Sequence, residues 1–129
     1  AWYGSTHPNT ALLEVANGLR KEIALSALTQ KSETYRQYKA DLDGDYIDIF
    51  GAHPEYHSPD DTSYPAAQAF GGRVRAESTR AGIRYESVRH PGHENWVCYR
   101  PPLIRNVKQA KHFRIEVPRT GRVVVRQIS

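Results

Sequence analysis

Residues 82–99, GIRYESVRHPGHENWVCY, decide the class of fold. Ile83 to Arg89 carries Ile, Tyr and Val among polar residues, and the short run Asn95 to Tyr99 is mostly aromatic and apolar. Both runs have strand character. Pro91-Gly92 between them is a turn pair. The stretch therefore predicts strands over Ile83–Arg89 and Asn95–Tyr99 joined by a turn. Alternation puts Tyr85, Ser87 and Arg89 on one face, with Glu86 and Val88 on the other. An aromatic and two polar groups on one face can line a site. They can equally be the wet side of a half-exposed sheet.

Working outward, Gly82 falls where a helix stop is expected. Before it, Ala66, Phe70 and Val74 recur at helical spacing, and Pro65 suits a first helical turn. Residues 51–63, rich in Pro, His, Asp and Ser, read as a loop. Upstream, Glu33–Leu42 and Tyr46–Phe50 read as a hairpin around the turn signal Asp43-Gly44-Asp45. Nearer the start, Trp2-Tyr3 reads as the end of a strand, followed by a turn over Ser5-Thr6-His7-Pro8. Asn9 or Thr10 is suited to cap a helix. Leu12, Val15, Ala16, Leu19 and Ile23 give that helix one apolar stripe. It is expected to run toward Thr29, weakened at Gly18.

Downstream, Pro101-Pro102 breaks the chain, and His112–Val117 and Arg122–Ile128 read as a last hairpin around Thr120-Gly121. The total is two helices and about six strands with no regular βαβ alternation. That predicts an α+β fold: a mixed central sheet with two main helices.

A chain of 129 residues suits one domain, here 1–129. It is 39% hydrophobic and 25% charged, which places it among globular chains. The single cysteine, Cys98, cannot pair within the chain, and a reducing cytoplasm is the expected location. Because the chain opens directly on Ala1-Trp2-Tyr3, as if inside a strand, an upstream N-terminal segment is expected. The net charge of +4 fits a mildly basic surface or a groove for an anion, either nucleic acid or a dinucleotide. The basic residues are scattered, without the Lys/Arg blocks and interleaved aromatics of a nucleic-acid footprint.

No metal motif emerges. His53 and His57 fall in a proline-containing loop, and the spacing of His90 and His93 is equally loose. Gly71-Gly72 lies within a helix and lacks the Lys-Ser/Thr of a phosphate loop. Cys98, in an apolar strand, reads as a buried, inert thiol. Three features remain: Tyr3 with Thr10-Ala11-Leu12-Leu13-Glu14, the Tyr85–Arg89 strand, and Asp60-Asp61. Glu14 can be an ordinary early-helix acid favoured by the helix dipole, or a functional carboxylate. Asp60-Asp61 reads as solvated or capping.

These stretches resemble the RES domain. Trp2-Tyr3-Gly4-Ser5 with Thr10–Glu14 is similar to its Tyr…Thr-Ala…Glu signature. Residues 33–49 look like its central hairpin, and residues 61–75 like its Asp…Tyr-Pro…Gln-Ala-Phe-Gly…Arg helix. Residues 82–89 resemble its Gly-Ile-x-Tyr-x-Ser-x-Arg strand, and Val97–Pro101 and Val107–Phe113 continue the likeness. The chain departs from the family pattern at Ala16-Asn17-Gly18-Leu19, where a His is frequent, and at Gly92-His93, where Gly-Gly is common. The family's Arg is expected several residues before Tyr3.

The resemblance implies a fold like that of ADP-ribosyltransferases and a toxin whose substrate is NAD⁺, without a metal. It implies cleavage of the nicotinamide–ribose bond, with ADP-ribose passed to a protein, to water or to phosphate. Its functional Tyr, Glu and Ser fall on Tyr3, Glu14 and Ser87, the expected catalytic set. Arg89 and Tyr85 are the expected substrate-binding residues. The implied partner is a cognate antitoxin with an Xre-type DNA-binding part, in a hetero-oligomeric complex. A nucleic-acid-binding or ribonuclease toxin and a catalytically inactive binding module are the alternatives.

Overall fold

The computed structural model describes residues 1–52, 64–77 and 79–128. The expected loop over residues 53–63, with His53, His57 and Asp60-Asp61, lies outside them. The element order is β1 (Trp2–Ser5), α1 (Pro8–Ala24), β2 (Gln30–Leu42), β3 (Tyr46–Asp48), α2 (Tyr64–Glu77), β4 (Gly82–Glu86), β5 (Glu94–Cys98), β6 (Ile104–Pro118) and β7 (Val124–Gln127). A 3-10 turn at Pro101–Leu103 precedes β6. The fold is α+β, with two helices and two sheets among the described residues. No helix among them is long and apolar enough to cross a membrane.

Two compact units form. The first comprises Ala1–Ala11 and Leu42–Arg105; the second comprises Leu12–Asp41 and Asn106–Ser129. In the first, the sheet order is β1-β5-β4-β3. β5 runs antiparallel to both neighbours, and β3 is parallel to β4. The register sets Tyr3, Val97, Ile83 and Ile47 side by side on one face. Ser5, Asn95 and Tyr85 share that face, while Gly4, Trp96, Arg84 and Asp48 lie on the other. Ile83 and Val97 pack with Ile49 and with Val74 of α2 to form the core, flanked by Ile47, Phe70, Tyr85 and Tyr99. Phe70 and Val74 are one helical turn apart, which is why one stripe of α2 serves this core.

The expected hairpin of β2 and β3 does not form. Asp43-Gly44-Asp45 does turn, with Gly44 at φ +100, but the flanking strands enter different sheets. The backbone groups at the turn are taken by segments remote in sequence. The Asp43 N–H donates to the Leu103 carbonyl at 2.9 Å, and the Ala81 N–H donates to the Asp45 carbonyl at 2.7 Å. Ile47 and Ile49 then find their apolar partners beside Ile83. Gly82 is likewise no helix stop. It opens β4, and a Cβ there would stand 1.7 Å from the Val97 carbonyl oxygen.

In the second unit β6 lies between β2 and β7. β6 and β7 form the expected last hairpin, with Ile115 opposite Val125. The stripe read from the sequence is the buried face of α1: Ala16, Leu19 and Ile23 pack on Ile115 and Val117, with Leu12, Val15, Tyr35 and Val123 around them. α1 ends at Ala24, short of Thr29. The Arg119 side chain explains the stop, because it donates to the carbonyls of Ile23, Ser26 and Leu28. At Ile23 the cation meets a carbonyl in the last turn of the helix and complements the negative end of its dipole, and at Ser26 and Leu28 it holds the chain that leaves the helix. Ile115 is 0% exposed, so Ile115→Ala is expected to cost about 2–5 kcal/mol in urea unfolding. A loss well under about 1 kcal/mol would show that this core is not packed as described.

Candidate functional site

Four of the five residues expected at a site, Tyr3, Tyr85, Ser87 and Arg89, belong to the first unit, and Glu14 belongs to the second. Tyr3 projects from β1 and is 69% exposed, an unusual state for a tyrosine on a sheet face that also carries core residues. Tyr85 shares that face and packs at the edge of the core. Glu14 is half-buried on α1.

The expected row of Tyr85, Ser87 and Arg89 along one strand face is not present, because β4 ends at Glu86. The chain turns instead. Ser87 Oγ accepts the backbone N–H of His90 at 3.1 Å, and the Ser87 N–H donates to the His93 carbonyl at 2.9 Å. The Gly92 N–H donates to Glu86 Oε2 at 2.9 Å. Serine offers a nearby backbone donor this kind of local partner, which competes with the strand ladder. Ser87 ends up 1% exposed, and Arg89 half-buried.

The sequence reading missed a histidine cluster. His7, not Asn9 or Thr10, caps α1: its Nδ1 accepts the Asn9 N–H at 3.1 Å and its carbonyl accepts the N–H groups of Thr10 and Ala11. Pro8 takes the first helical position, where its missing N–H costs nothing. The His90 and His93 rings, loosely spaced in sequence, stack with centroids 3.6 Å apart, and His7 meets both edge-on. Thr10 is fully buried, with its Oγ1 2.8 Å from His90 Nδ1. Only Thr10 carried any signal, as a polar residue at the start of an amphipathic helix. Among the described residues no group of three or more His, Cys, Asp or Glu is placed to hold a metal ion.

Burial, followed by the neighbouring His93 and His7, holds His90 below the ordinary histidine range. The unfolded chain therefore takes up a proton near pH 6.5 that the folded chain resists. The contribution to stability is complete above that pH and is lost as pH falls from there toward the lowered folded value. His90→Gln is expected to flatten the pH dependence of the urea midpoint between about pH 7 and 5. An unchanged slope would exclude His90 as its source.

The opposite sheet face carries a charged cluster. Arg84 pairs with Glu94 and donates to both carboxylate oxygens of Asp48 at 3.0 Å, with its guanidinium 4.5 Å from the Phe50 ring centroid. The hydroxyl of Thr6, and then Arg84, lower the Glu94 carboxyl; the backbone N–H of Phe50, and then Arg84, lower that of Asp48. An open cleft of about 360 Å³ lies here, lined by Thr6, His7, Phe50, Arg84, Gly92, His93 and Glu94. None of the five expected residues lines it. Cys98 is buried, with its thiol toward the Arg100 carbonyl.

The chain matches the RES domain over residues 1–118, and it belongs to that family. RES domains are associated with NAD-processing toxins. No curated protein matches the chain, and no solved structure matches it.

Proposed function

We propose that this chain is a cytoplasmic toxin that cleaves NAD⁺ at the nicotinamide–ribose bond and is held in check by a cognate Xre-type antitoxin. The observation that carries the reading is membership of the RES family over residues 1–118, a span that includes Tyr3, Glu14 and Ser87. The 69% exposure of Tyr3 supports it further, because a bare phenol ring on a sheet face offers a surface for an aromatic ligand to stack on.

Nicotinamide in NAD⁺ is already a good leaving group, since its ring nitrogen is positively charged. When the C1′–N bond breaks, the electron pair goes to that nitrogen and positive charge develops on the ribose. Little acid catalysis is needed. The demand is for a fixed negative group near the ribose, as in glycoside hydrolysis. Glu14 supplies that carboxylate in this reading, and Tyr3 stacks on nicotinamide. Arg89 holds the pyrophosphate, which a guanidinium binds with two parallel hydrogen bonds. Tyr85 lines the same face, and Ser87 serves the site from the turn it closes.

Water adding at C1′ yields ADP-ribose and a proton, and phosphate in its place yields the phosphorylated sugar. A protein nucleophile yields ADP-ribosylated protein. Each outcome removes NAD⁺ or disables a target, so each fits a toxin. Silencing falls to the antitoxin, and acidic segments on it would complement the +4 charge of this chain.

Nicotinamide release from NAD⁺ tests the reading. Wild-type protein is expected to release it, and Glu14→Gln is expected to be slower by roughly 10²–10³-fold, the scale of one preorganised electrostatic group. Absence of release, even with cell extract supplying protein acceptors, would remove the enzymatic reading.

A further inference from the structure

Ser87 stands at the family's serine position, yet it is 1% exposed and its oxygen is engaged by the His90 N–H. Thr10 is 0% exposed, with its hydroxyl on the His90 ring. A hydroxyl buried that deeply does not meet a ligand while the turn keeps its shape. What it does is hold the turn.

The connections run in one line. Thr10 Oγ1 lies 2.8 Å from His90 Nδ1, and the backbone N–H of His90 donates to Ser87 Oγ at 3.1 Å. The turn closes on itself as the Ser87 N–H donates to the His93 carbonyl and the His93 N–H to the His90 carbonyl. His93 stacks on His90 and fixes its ring plane. Arg89 sits inside this closed turn. Its backbone position therefore follows the Ser87–His90 bond, and the Ser87–His90 bond follows the anchoring of His90 on Thr10.

We propose that Ser87 and Thr10 are positioning residues: with His90 they form one hydrogen-bonded chain that fixes where the turn carries Arg89, and neither hydroxyl touches the substrate. The proposal rests on the NAD⁺ reading for its functional consequence, since Arg89 is there the group that holds the pyrophosphate. The chain of bonds itself stands without that reading.

The discriminating experiment is a double-mutant cycle on nicotinamide release, using Thr10→Val, Ser87→Ala, the double variant and Thr10→Ser. If both residues act through one chain, each single variant raises the KM for NAD⁺ about tenfold, the scale of one buried hydrogen bond, with kcat little changed. The double variant is then no worse than either single one, because the second change breaks a chain already broken. Thr10→Ser, which keeps the hydroxyl, restores KM to within about twofold of wild type.

Effects that multiply to about a hundredfold, or a Ser87→Ala loss in kcat with Thr10→Val silent, would place Ser87 on the substrate and overturn the proposal. A parallel measurement separates this failure from failure of the NAD⁺ reading. Hydrogen exchange at the His90 amide is expected to quicken about tenfold in both Thr10→Val and Ser87→Ala. Exchange unchanged in Thr10→Val would overturn the chain even if wild type releases nicotinamide. Quickened exchange in both, with an inactive wild type, would uphold the chain and retire only the NAD⁺ reading.

Discussion

A side chain on Gly82 would run into the carbonyl oxygen of Val97, so the pairing of β4 with β5 rests on a residue that has none. Much of the first unit follows from that approach. Once Gly82 lies against Cys98, the register puts Ile83 on Val97 and Arg84 on Trp96. β3 then adds on one side through Ile47, and β1 on the other through Tyr3. The same register sorts the side chains into two faces with different chemistry. One carries the core, Tyr85 and the exposed Tyr3; the other carries Arg84 between two carboxylates.

The two faces divide the labour. Arg84 is held by Asp48, Glu94 and the Phe50 ring, so its charge is spent on the protein itself. The Arg84–Asp48 pair, open to water on the Asp48 side, adds about 0–1 kcal/mol, and the value of both pairs here is in fixing geometry at the end of the sheet. Glu94 also receives the Thr6 hydroxyl, which ties β5 to the residue just before the His7 cap. The stacked histidines and the buried Thr10 complete that corner. It is therefore a structural joint between the first turn of α1 and the turn after β4. Tyr3, by contrast, is left exposed on the core-bearing face.

What the sequence disclosed was local and periodic. The stripe from Leu12 to Ile23 became the buried face of α1, the last hairpin formed around Gly121, and Cys98 proved buried. What it concealed was pairing over distance. Asp43-Gly44-Asp45 announces that the chain bends, but nothing local says that β2 goes to β6 while β3 goes to β4. Gly82 looked like a helix stop because a glycine's need for space can be imposed by a strand as well as by a cap. Alternation carried the strand past Glu86, since period alone cannot see that Ser87 Oγ will capture the His90 N–H. His7 and His90 are far apart in sequence, so their cluster had no linear signature. Tyr3, Glu14 and Ser87 stand out in the sequence only through their resemblance to the family's motifs, and the burial of Ser87 has no local signal at all.

The central claim is that the face carrying Tyr3 receives NAD⁺, and amide and side-chain NMR shifts during an NAD⁺ titration test it most directly. Saturable shifts at Tyr3, Glu14 and Arg89, with His90 following through its turn, are the predicted result. Shifts confined to Phe50, Arg84 and His93 would move the ligand to the opposite cleft and contradict the account, as would no saturable shift at any residue.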